Sequence, residues 1–272
     1  MKILVLGSNG MAGHVLVKYL SIHHDVTTVA RSNADYCLDI ENKQQVENFL
    51  TELQSKNFDF VINCIGLLVQ DSIQRPDRAT IINSWFPHAI AHSLSNLQTK
   101  LIHLSTDCVF DGSKGDYFEE DVHTETNYYG KSKSLGEINN DKDVTFRMSI
   151  IGPEIKETGT GLFHWFVNKS ENEVGGYSNA MWNGLTTLQL AKCIDEYISD
   201  PTLTGIIHVV NNEVSISKYD LLVKINEIFE LGKIVNKTVG PKTVNKILVN
   251  TKKDFNIPNY DIQLNELKDF IK

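Results

Sequence analysis

Short apolar runs and amphipathic stretches alternate along the first 150 residues of the chain. The segments KILVLG, DVTTVA, FDFVINCIG, KLIHLST and VTFRMS are apolar or β-branched, which predicts strands of a sheet. Between them, MAGHVLVKYL and YYGKSKSLGEI predict helices, and NKQQVENFLTEL places Val46, Phe49, Leu50 and Leu53 on one helical face. RATIINSWFPHAIAHSL predicts a long helix with an irregularity at Pro87.

Strands that are apolar on both faces and alternate with helices are typical of a parallel sheet covered on two sides. Right-handed crossovers make this an α/β, doubly wound Rossmann sheet. We assign residues 1–150 to this domain. After residue 150 the alternation weakens, although TTLQLAKCIDEYI and SKYDLLVKINEIF predict helices, GIIHVVN predicts a strand, and the tail ends in one more short helix. We expect residues 151–272 to form mainly a smaller lobe, with some segments returning to the first domain.

Composition and charge narrow the class of protein. The chain has 272 residues, is 41% hydrophobic and 22% charged, and carries a net charge of −8, which argues against nucleic acid as a partner. No window approaches a membrane span, and the first apolar stretch is too short for a signal peptide. Four cysteines without a CxxC, three of them in or beside apolar runs, predict reduced core thiols in a cytoplasmic protein.

Three glycines, Gly7, Gly10 and Gly13, separate the first predicted strand from the first predicted helix. The order strand, GxxGxxG, helix is typical of dinucleotide binding. In this pattern the glycines allow a tight turn, close approach of a pyrophosphate, and close packing of helix on strand. The helix N-terminus offers unpaired amides to the phosphates. The alternative is a tight turn that binds no ligand.

The second predicted strand ends in VARSN, where an acidic residue would favour NAD. Arg31 and Ser32 stand there instead, and an arginine can pair with the 2′-phosphate of NADP. We therefore predict NADPH as the cofactor and keep NADH as an alternative. A solvated surface arginine is the other interpretation of Arg31.

A tyrosine and a lysine four residues apart, Tyr129 and Lys133, share one face of a predicted helix. An ammonium beside a phenol is expected to lower the phenol's pKa, so that the tyrosine can exchange a proton with a substrate oxygen. Ser105 and Thr106 end a predicted parallel strand, where ligands of such sheets bind. We expect their hydroxyls at the ligand edge.

The stretches ILVLGSNGMAG, FDFVINCIG, IINSWFPHAIA, LIHLSTDCVFDG, YYGKSKSLGE and FRMSIIG together resemble an extended short-chain dehydrogenase/reductase. More narrowly, the chain is similar to the dTDP-4-dehydrorhamnose reductase group. The matching stretches cover residues 1–152 in order, and weaker matches continue to the IPNYDIQLNEL tail.

The resemblance implies a catalytic triad of Thr106, Tyr129 and Lys133. The cofactor residues, from the motifs and the resemblance together, are Gly7, Asn9, Gly10, Met11, Gly13, Arg31, Ser32, Asp39, Ile40, Cys64, Ile65, Gly66, Asn83, Ser105, Tyr129 and Lys133. The substrate residues are Leu67, Gln70, Thr106, Asp107, Met148, Trp182 and Asn183. For Trp182, stacking on a nucleotide base and packing within a loop are equal alternatives. No metal site is predicted.

The implied activity is NADPH-dependent reduction of the C4 ketone of a 4-keto-6-deoxy nucleoside-diphosphate sugar, in the synthesis of surface glycan precursors. The segment GLLVQDSIQRPDRA departs from rhamnose-pathway reductases and looks more like relatives that use UDP-linked N-acetylated sugars, so the base and the sugar stay open. A nucleotide-sugar 4-epimerase or dehydrogenase, and a non-catalytic NADP-binding regulatory subunit, are the alternatives. A homodimer is compatible with the resemblance.

Overall fold

A seven-stranded parallel sheet forms the centre of the molecule in the computed structural model, which describes residues 1–169 and 171–272. The strands are β1 Lys2–Leu6, β2 Asp25–Ala30, β3 Tyr36–Cys37, β4 Phe60–Asn63, β5 Lys100–Leu104, β6 Val144–Arg147, β7 Ile150–Ile151, β8 Glu173–Tyr177, β9 Ala180–Trp182, β10 Leu185–Thr186, β11 Gly205–His208, β12 Ile216–Ser217, β13 Ile234–Thr238 and β14 Val244–Asn245. The helices are α1 Met11–Leu20, α2 Lys43–Ser55, α3 Val69–Gln74, α4 Pro76–Ala79, α5 Phe86–Ser93, α6 Tyr128–Leu135, α7 Leu162–Asn168, α8 Thr187–Ser199, α9 Lys218–Ile228 and α10 Tyr260–Ile271.

The strand order of the central sheet is β3-β2-β1-β4-β5-β6-β11, and every neighbouring pair is parallel. The predicted doubly wound α/β fold is confirmed. The chain order reverses between β1 and β4, and ligands of such sheets bind in the crevice that this reversal opens at the carboxyl ends of the strands.

Apolar clusters cover both faces of this sheet. On one face, α1 and α8 pack over side chains such as Ile3, Ile62 and Phe146. On the other face, α2 and α5 pack over Leu4 and Val61. Because both faces are buried, the strands are apolar at nearly every position and show no alternation.

The C-terminal part of the chain contributes to two regions. Its strand β11 is the edge strand beyond β6, and α8 packs against α1. The helices α7, α9 and α10 enclose a separate cluster that includes Phe166, Trp182 and Leu221. Two short sheets, β12-β9-β14 and β8-β13, lie beside this cluster.

The long helix predicted around Pro87 is divided into three consecutive segments: α4, a π-helical stretch Thr80–Trp85, and α5. The irregularity therefore precedes Pro87, which lies in the first turn of α5 where its missing amide is tolerated. A π-helical stretch inserts an extra residue into the turn and redirects the side chains within it. Asn83 is one of these side chains.

Two further expectations about the chain differ in detail. The tail helix α10 has 12 residues and is not short. Of the cysteines only Cys193 is buried, whereas Cys64 and Cys108 are half-buried and Cys37 is exposed; all four are free thiols. In the part of the chain that the structure describes, no helix has the length and apolar character needed to cross a bilayer.

Gly136 provides a test of the packing between α6 and the π-helical stretch. A Cβ atom at Gly136 would lie 1.8 Å from the carbonyl oxygen of Asn83, so Gly136→Ala must push the two segments apart. Overpacking of this kind costs about 1–3 kcal/mol, and we expect the Tm to fall by roughly 2–10 °C in thermal unfolding followed by circular dichroism. Gly66→Ala is the matched control, because its Cβ atom would lie 3.7 Å from the Oδ1 of Asn83, an ordinary contact distance. An unchanged Tm for Gly136→Ala would contradict this packing.

Candidate active site

The glycine turn after β1 is tight. Gly7 has a φ of +80°, which a side chain disfavours, and its amide donates to the carbonyl of Val29 at 2.8 Å. A Cβ atom at Gly13 would lie only 2.1 Å from the carbonyl oxygen of Gly7. The amide of Gly10 donates to that same oxygen at 2.9 Å. The turn thus brings the start of α1 against the end of β1 with no room for side chains.

The amino-terminal end of α1 is open. Gly10 is the N-cap residue and provides no side-chain cap, and the first backbone bond is from His14 to Gly10. Within residues 1–169 and 171–272, the amides of Met11, Ala12 and Gly13 have no acceptor. These amides and the partial positive charge of the helix end form a cradle suited to an anion.

The end of β2 lies beside this cradle. The side-chain amide of Asn9 donates to the carbonyl of Ser32 at 2.8 Å, which joins the two loops. Arg31 is exposed, and its guanidinium makes no hydrogen bond or ion pair to any described residue. Farther along, Asp39 is exposed and accepts from the amide of Glu41, whereas Ile40 is buried in the core.

Asn83 holds the loop that follows β4. Its Oδ1 accepts from the amide of Leu67 at 2.7 Å, and its Nδ2 donates to the carbonyl of Leu67 at 3.1 Å and to the hydroxyl of Ser132 at 3.0 Å. A Cβ atom at Gly66 would lie 4.0 Å from the Nζ of Lys133. The loop Cys64–Ile65–Gly66, the π-helical stretch and α6 therefore converge at one edge of the sheet.

The three predicted catalytic residues meet at the end of β5. Lys133 is only 4% exposed, and its Nζ donates to the carbonyl of Leu104 at 2.7 Å. Thr106 is buried, and its hydroxyl donates to Asp107 and accepts from the amide of Cys108. Tyr129 lies one helical turn before Lys133, and the nearby Thr106 acts to lower the pKa of its phenol.

The pKa shifts of Tyr129 and Lys133 differ from those that the sequence predicts. Burial raises the pKa of the Tyr129 phenol well above its ordinary value, and this outweighs the lowering effect of the nearby Thr106. Lys133 is not among the groups that shift this pKa, and its ammonium donates to the Leu104 carbonyl. Burial also lowers the pKa of Lys133 to about 8, opposed by the charge of Glu137 and by Cys64. The expected lowering of the tyrosine pKa is therefore wrong for this structure.

A buried ion pair lies beneath these residues. The guanidinium of Arg147 donates to both oxygens of Glu137, at 2.9 and 2.6 Å. Ser105 donates its hydroxyl to Glu137 at 2.6 Å and is 7% exposed, so it is turned away from the ligand edge where we expected it. Sequence reasoning missed Glu137, although its position four residues after Lys133 was a usable signal.

The predicted substrate residues differ from one another in position and exposure. Leu67 and the exposed Gln70 lie at the start of the segment after β4, near the converging loops. Met148 is 2% exposed and belongs to the sheet core. Asp107 is buried beside Thr106, and its amide donates to the carbonyl of Met148.

Trp182 and Asn183 are both packed inside the structure. The ring of Trp182 is 2% exposed and stacks on Tyr260 with a centroid separation of 5.5 Å. The Asn183 side chain donates to the carbonyl of Leu248 and accepts from its amide. The packed-loop interpretation of Trp182 therefore describes this structure better than stacking on a base.

The seven-stranded sheet, the glycine turn and the Thr106–Tyr129–Lys133 cluster together define an extended short-chain dehydrogenase/reductase. The family model that matches this chain is the RmlD substrate binding domain, over residues 1–253. The chain belongs to this RmlD-like family.

Two relatives illustrate the similarity in sequence. The chain is 31% identical to dTDP-4-dehydrorhamnose reductase of Burkholderia thailandensis over 140 residues, which are 51% of this chain and 45% of that protein. It is 25% identical to methionine adenosyltransferase 2 subunit beta of Xenopus laevis over 247 residues, covering 84% and 72% of the two chains. The match thus spans about half the length of the curated reductase.

A solved structure supports the fold. The dTDP-4-dehydrorhamnose reductase of Bacillus anthracis, in complex with NADP, superposes with a TM-score of 0.77 over 92% of this chain and 90% of that one, at 23% identity. At this level of identity, the likeness concerns the arrangement of helices and strands alone.

His208 makes the stability of this region depend on pH. It lies in β11, 0% exposed, and burial together with Arg147 lowers its pKa to about 4. Arg147 donates to its Nε2, so the ring is neutral and Nδ1 donates to the carbonyl of Val249. The unfolded chain binds this proton near pH 6.5 and the folded chain only near pH 4. The stability from the neutral ring is therefore complete above about pH 6.5 and is lost as the pH falls toward 4.

We expect this loss to reach about 3 kcal/mol in the free energy of unfolding, measured by urea denaturation between pH 4 and 8. His208→Gln can keep both hydrogen bonds but cannot be protonated, so its stability should change less over that window. Parallel pH curves for the two proteins would refute the assignment.

Proposed function

We propose that the protein is an NADPH-dependent reductase of the C4 ketone of a 4-keto-6-deoxy nucleoside-diphosphate sugar. The observation that carries this proposal is the meeting of Thr106, Tyr129 and Lys133 at the carboxyl end of β5, at the sheet edge that also bears the glycine turn. The RmlD-like family and relatives named as reductases support it. We further propose that residues 151–272 mainly form the substrate lobe.

The residues around α1 fit a dinucleotide. The amides of Met11, Ala12 and Gly13, which have no acceptor among the described residues, suit a pyrophosphate. Arg31 and Ser32 lie where a 2′-phosphate would be recognised, with Asp39 and Ile40 toward the adenine. Cys64, Ile65 and Gly66 would follow the cofactor toward Lys133. When bound, the nicotinamide supplies the hydride.

The side chains at the end of β5 can supply the proton. The raised pKa of Tyr129 keeps its phenol protonated, as a proton donor to a substrate oxygen must be. As the proton leaves, the charge of the phenolate attracts the Lys133 ammonium one helical turn away, which donates to Leu104 before the reaction. The Thr106 hydroxyl, near enough to Tyr129 to act on its pKa, orients the carbonyl oxygen. Ser105, bound to Glu137, positions this strand end from behind.

The test uses purified protein, NADPH and a panel of dTDP- and UDP-linked 4-keto-6-deoxy sugars. We expect loss of NADPH absorbance with one class of sugar and a product heavier by two hydrogens in mass spectrometry. Tyr129→Phe should lower kcat about 10²- to 10⁴-fold, since it removes the proton donor, with little change in the Kd of NADPH. Near-normal turnover by Tyr129→Phe would refute the assigned role, and no turnover with any sugar would refute the proposal.

Arg31 gives a second prediction, on cofactor choice. An exposed guanidinium that pairs with no described residue can pair with a 2′-phosphate, and hydrogen bonds to charged groups contribute about 1.5–3 kcal/mol. Arg31→Ala should therefore raise the Kd of NADPH roughly tenfold or more and leave that of NADH almost unchanged. Lys224→Ala, which removes a cation paired with Asp261 in the C-terminal part, is the control. Equal effects on both cofactors would show that Arg31 does not select between them.

A regulatory subunit is the second candidate, because the similarity to methionine adenosyltransferase 2 subunit beta extends over 84% of the chain. The complete Thr106–Tyr129–Lys133 cluster favours the enzyme. A protein that binds NADPH, turns over no sugar and co-purifies with a larger partner would be the regulatory subunit. A 4-epimerase would return its hydride and show no net loss of NADPH.

A further inference from the structure

The helix that carries Tyr129 and Lys133 is attached to β5 at two consecutive residues. The Lys133 ammonium donates to the carbonyl of Leu104 at 2.7 Å. One turn later, the Glu137 carboxylate accepts from the hydroxyl of Ser105 at 2.6 Å. The next residue of the strand is Thr106. The two attachments therefore set where α6 lies along the strand end.

Glu137 continues the helical turn beyond α6. The amides of Gly136 and Glu137 donate to the carbonyls of Lys133 and Ser134, at 3.1 and 3.3 Å. Residues four apart on such a turn are neighbours, so the carboxylate and the ammonium lie on the same side. Gly136 lies against the π-helical stretch, where a Cβ atom would have no room. The turn that carries Glu137 is therefore packed closely against that stretch.

The carboxylate is itself fixed from behind. Arg147, fully buried in β6, donates to both of its oxygens, and the Nε2 of His123 lies 3.4 Å from it. Ser105 and Arg147 therefore donate hydrogen bonds to a carboxylate side chain that is 3% exposed. The pairing with Arg147 holds the pKa of Glu137 below its usual range despite burial, so the group is a carboxylate at neutral pH.

Few other charges face Lys133. Cys64 at the end of β4 has its pKa raised to about 12 by burial and is a neutral thiol at pH 7. His103 in β5 is kept neutral by burial, and Tyr129 is a neutral phenol. Among the described groups that act on Lys133, Glu137 is the one that carries a negative charge at neutral pH.

We propose that Glu137 is a positioning residue: it holds α6 in register with the end of β5 and keeps the Lys133 ammonium protonated. Arg147 and Ser105 serve to aim the Glu137 carboxylate. The role in turnover rests on the proposed function, but the effect on Lys133 does not depend on any ligand.

The direct test measures the protonation of Lys133 in the full-length protein without ligand. Lysine labelled with ¹³C at Cε is followed by NMR as the pH is raised, and the Lys133 signal is identified by its loss in Lys133→Arg. Glu137→Gln keeps the shape of the side chain and removes its charge, so the ammonium loses its support. We expect the Lys133 midpoint to fall by about one pH unit.

Glu119→Gln is the matched control. Glu119 is also buried and belongs to the same network, accepting from Thr251 at 2.8 Å and from the amide of His208 at 3.2 Å. It is not among the groups that act on Lys133. We expect Glu119→Gln to lower the Tm without moving the Lys133 midpoint. Equal midpoints in wild type and Glu137→Gln, or equal shifts in both variants, would overturn the proposal.

Glu137→Gln leaves Arg147 without its charge partner and can fail to fold. The double variant Glu137→Gln/Arg147→Met then replaces it, because it removes both charges of the Glu137–Arg147 ion pair, and Arg147 is not among the groups that act on Lys133. The double variant should show the same lowered midpoint. An unchanged midpoint in a folded double variant would likewise refute the proposal.

Turnover supplies the second measurement. In a plot of activity against pH, the wild-type activity should fall at high pH as Lys133 loses its proton. In Glu137→Gln this basic limb of the plot should move to lower pH by the same amount as the NMR midpoint. A shifted midpoint with an unmoved basic limb would overturn the part of the proposal that concerns catalysis. A protein that reduces no sugar would refute the proposed function and leave the NMR result to decide the role of Glu137.

Discussion

The parallel direction of the seven central strands is the constraint on which the site depends. Because every strand runs the same way, the segments that follow β1, β4 and β5 leave the sheet at one edge. The glycine turn, the loop held by Asn83 and the strand end with Thr106 meet there although they are far apart in sequence. Burial of both faces by helices makes this arrangement rigid, since the strands cannot tilt without opening the core.

Low polarity around the site changes what its charged groups do. Tyr129 and Lys133 are both displaced from their ordinary pKa values by burial, the phenol upward and the ammonium downward. Both displacements favour the neutral forms, so a neighbouring carboxylate is needed to retain the ammonium. A buried carboxylate in turn needs a cation, and Arg147 provides one. The ion pair under the site is thus a consequence of enclosing a lysine.

The motifs that carry the resemblance lie in the sheet domain, where the glycine turn and the Tyr129–Lys133 helix are fixed by close packing. The C-terminal part is built from short sheets and helices around its own apolar cluster. Loops over such a cluster tolerate more change in sequence than a parallel sheet covered on both faces.

The sequence by itself determined the fold class, because apolar runs and helical spacing record burial directly, residue by residue. It also placed Gly7, Gly13, Tyr129 and Lys133, whose spacing within one turn or one helix is a local property. Only the tertiary structure decided where side chains point. It turned Ser105 toward Glu137, enclosed Trp182 against Tyr260, and raised the pKa of Tyr129. Solvent exclusion and contacts between distant segments set these features. Neither produces a periodic pattern of residues that could be recognised in the sequence.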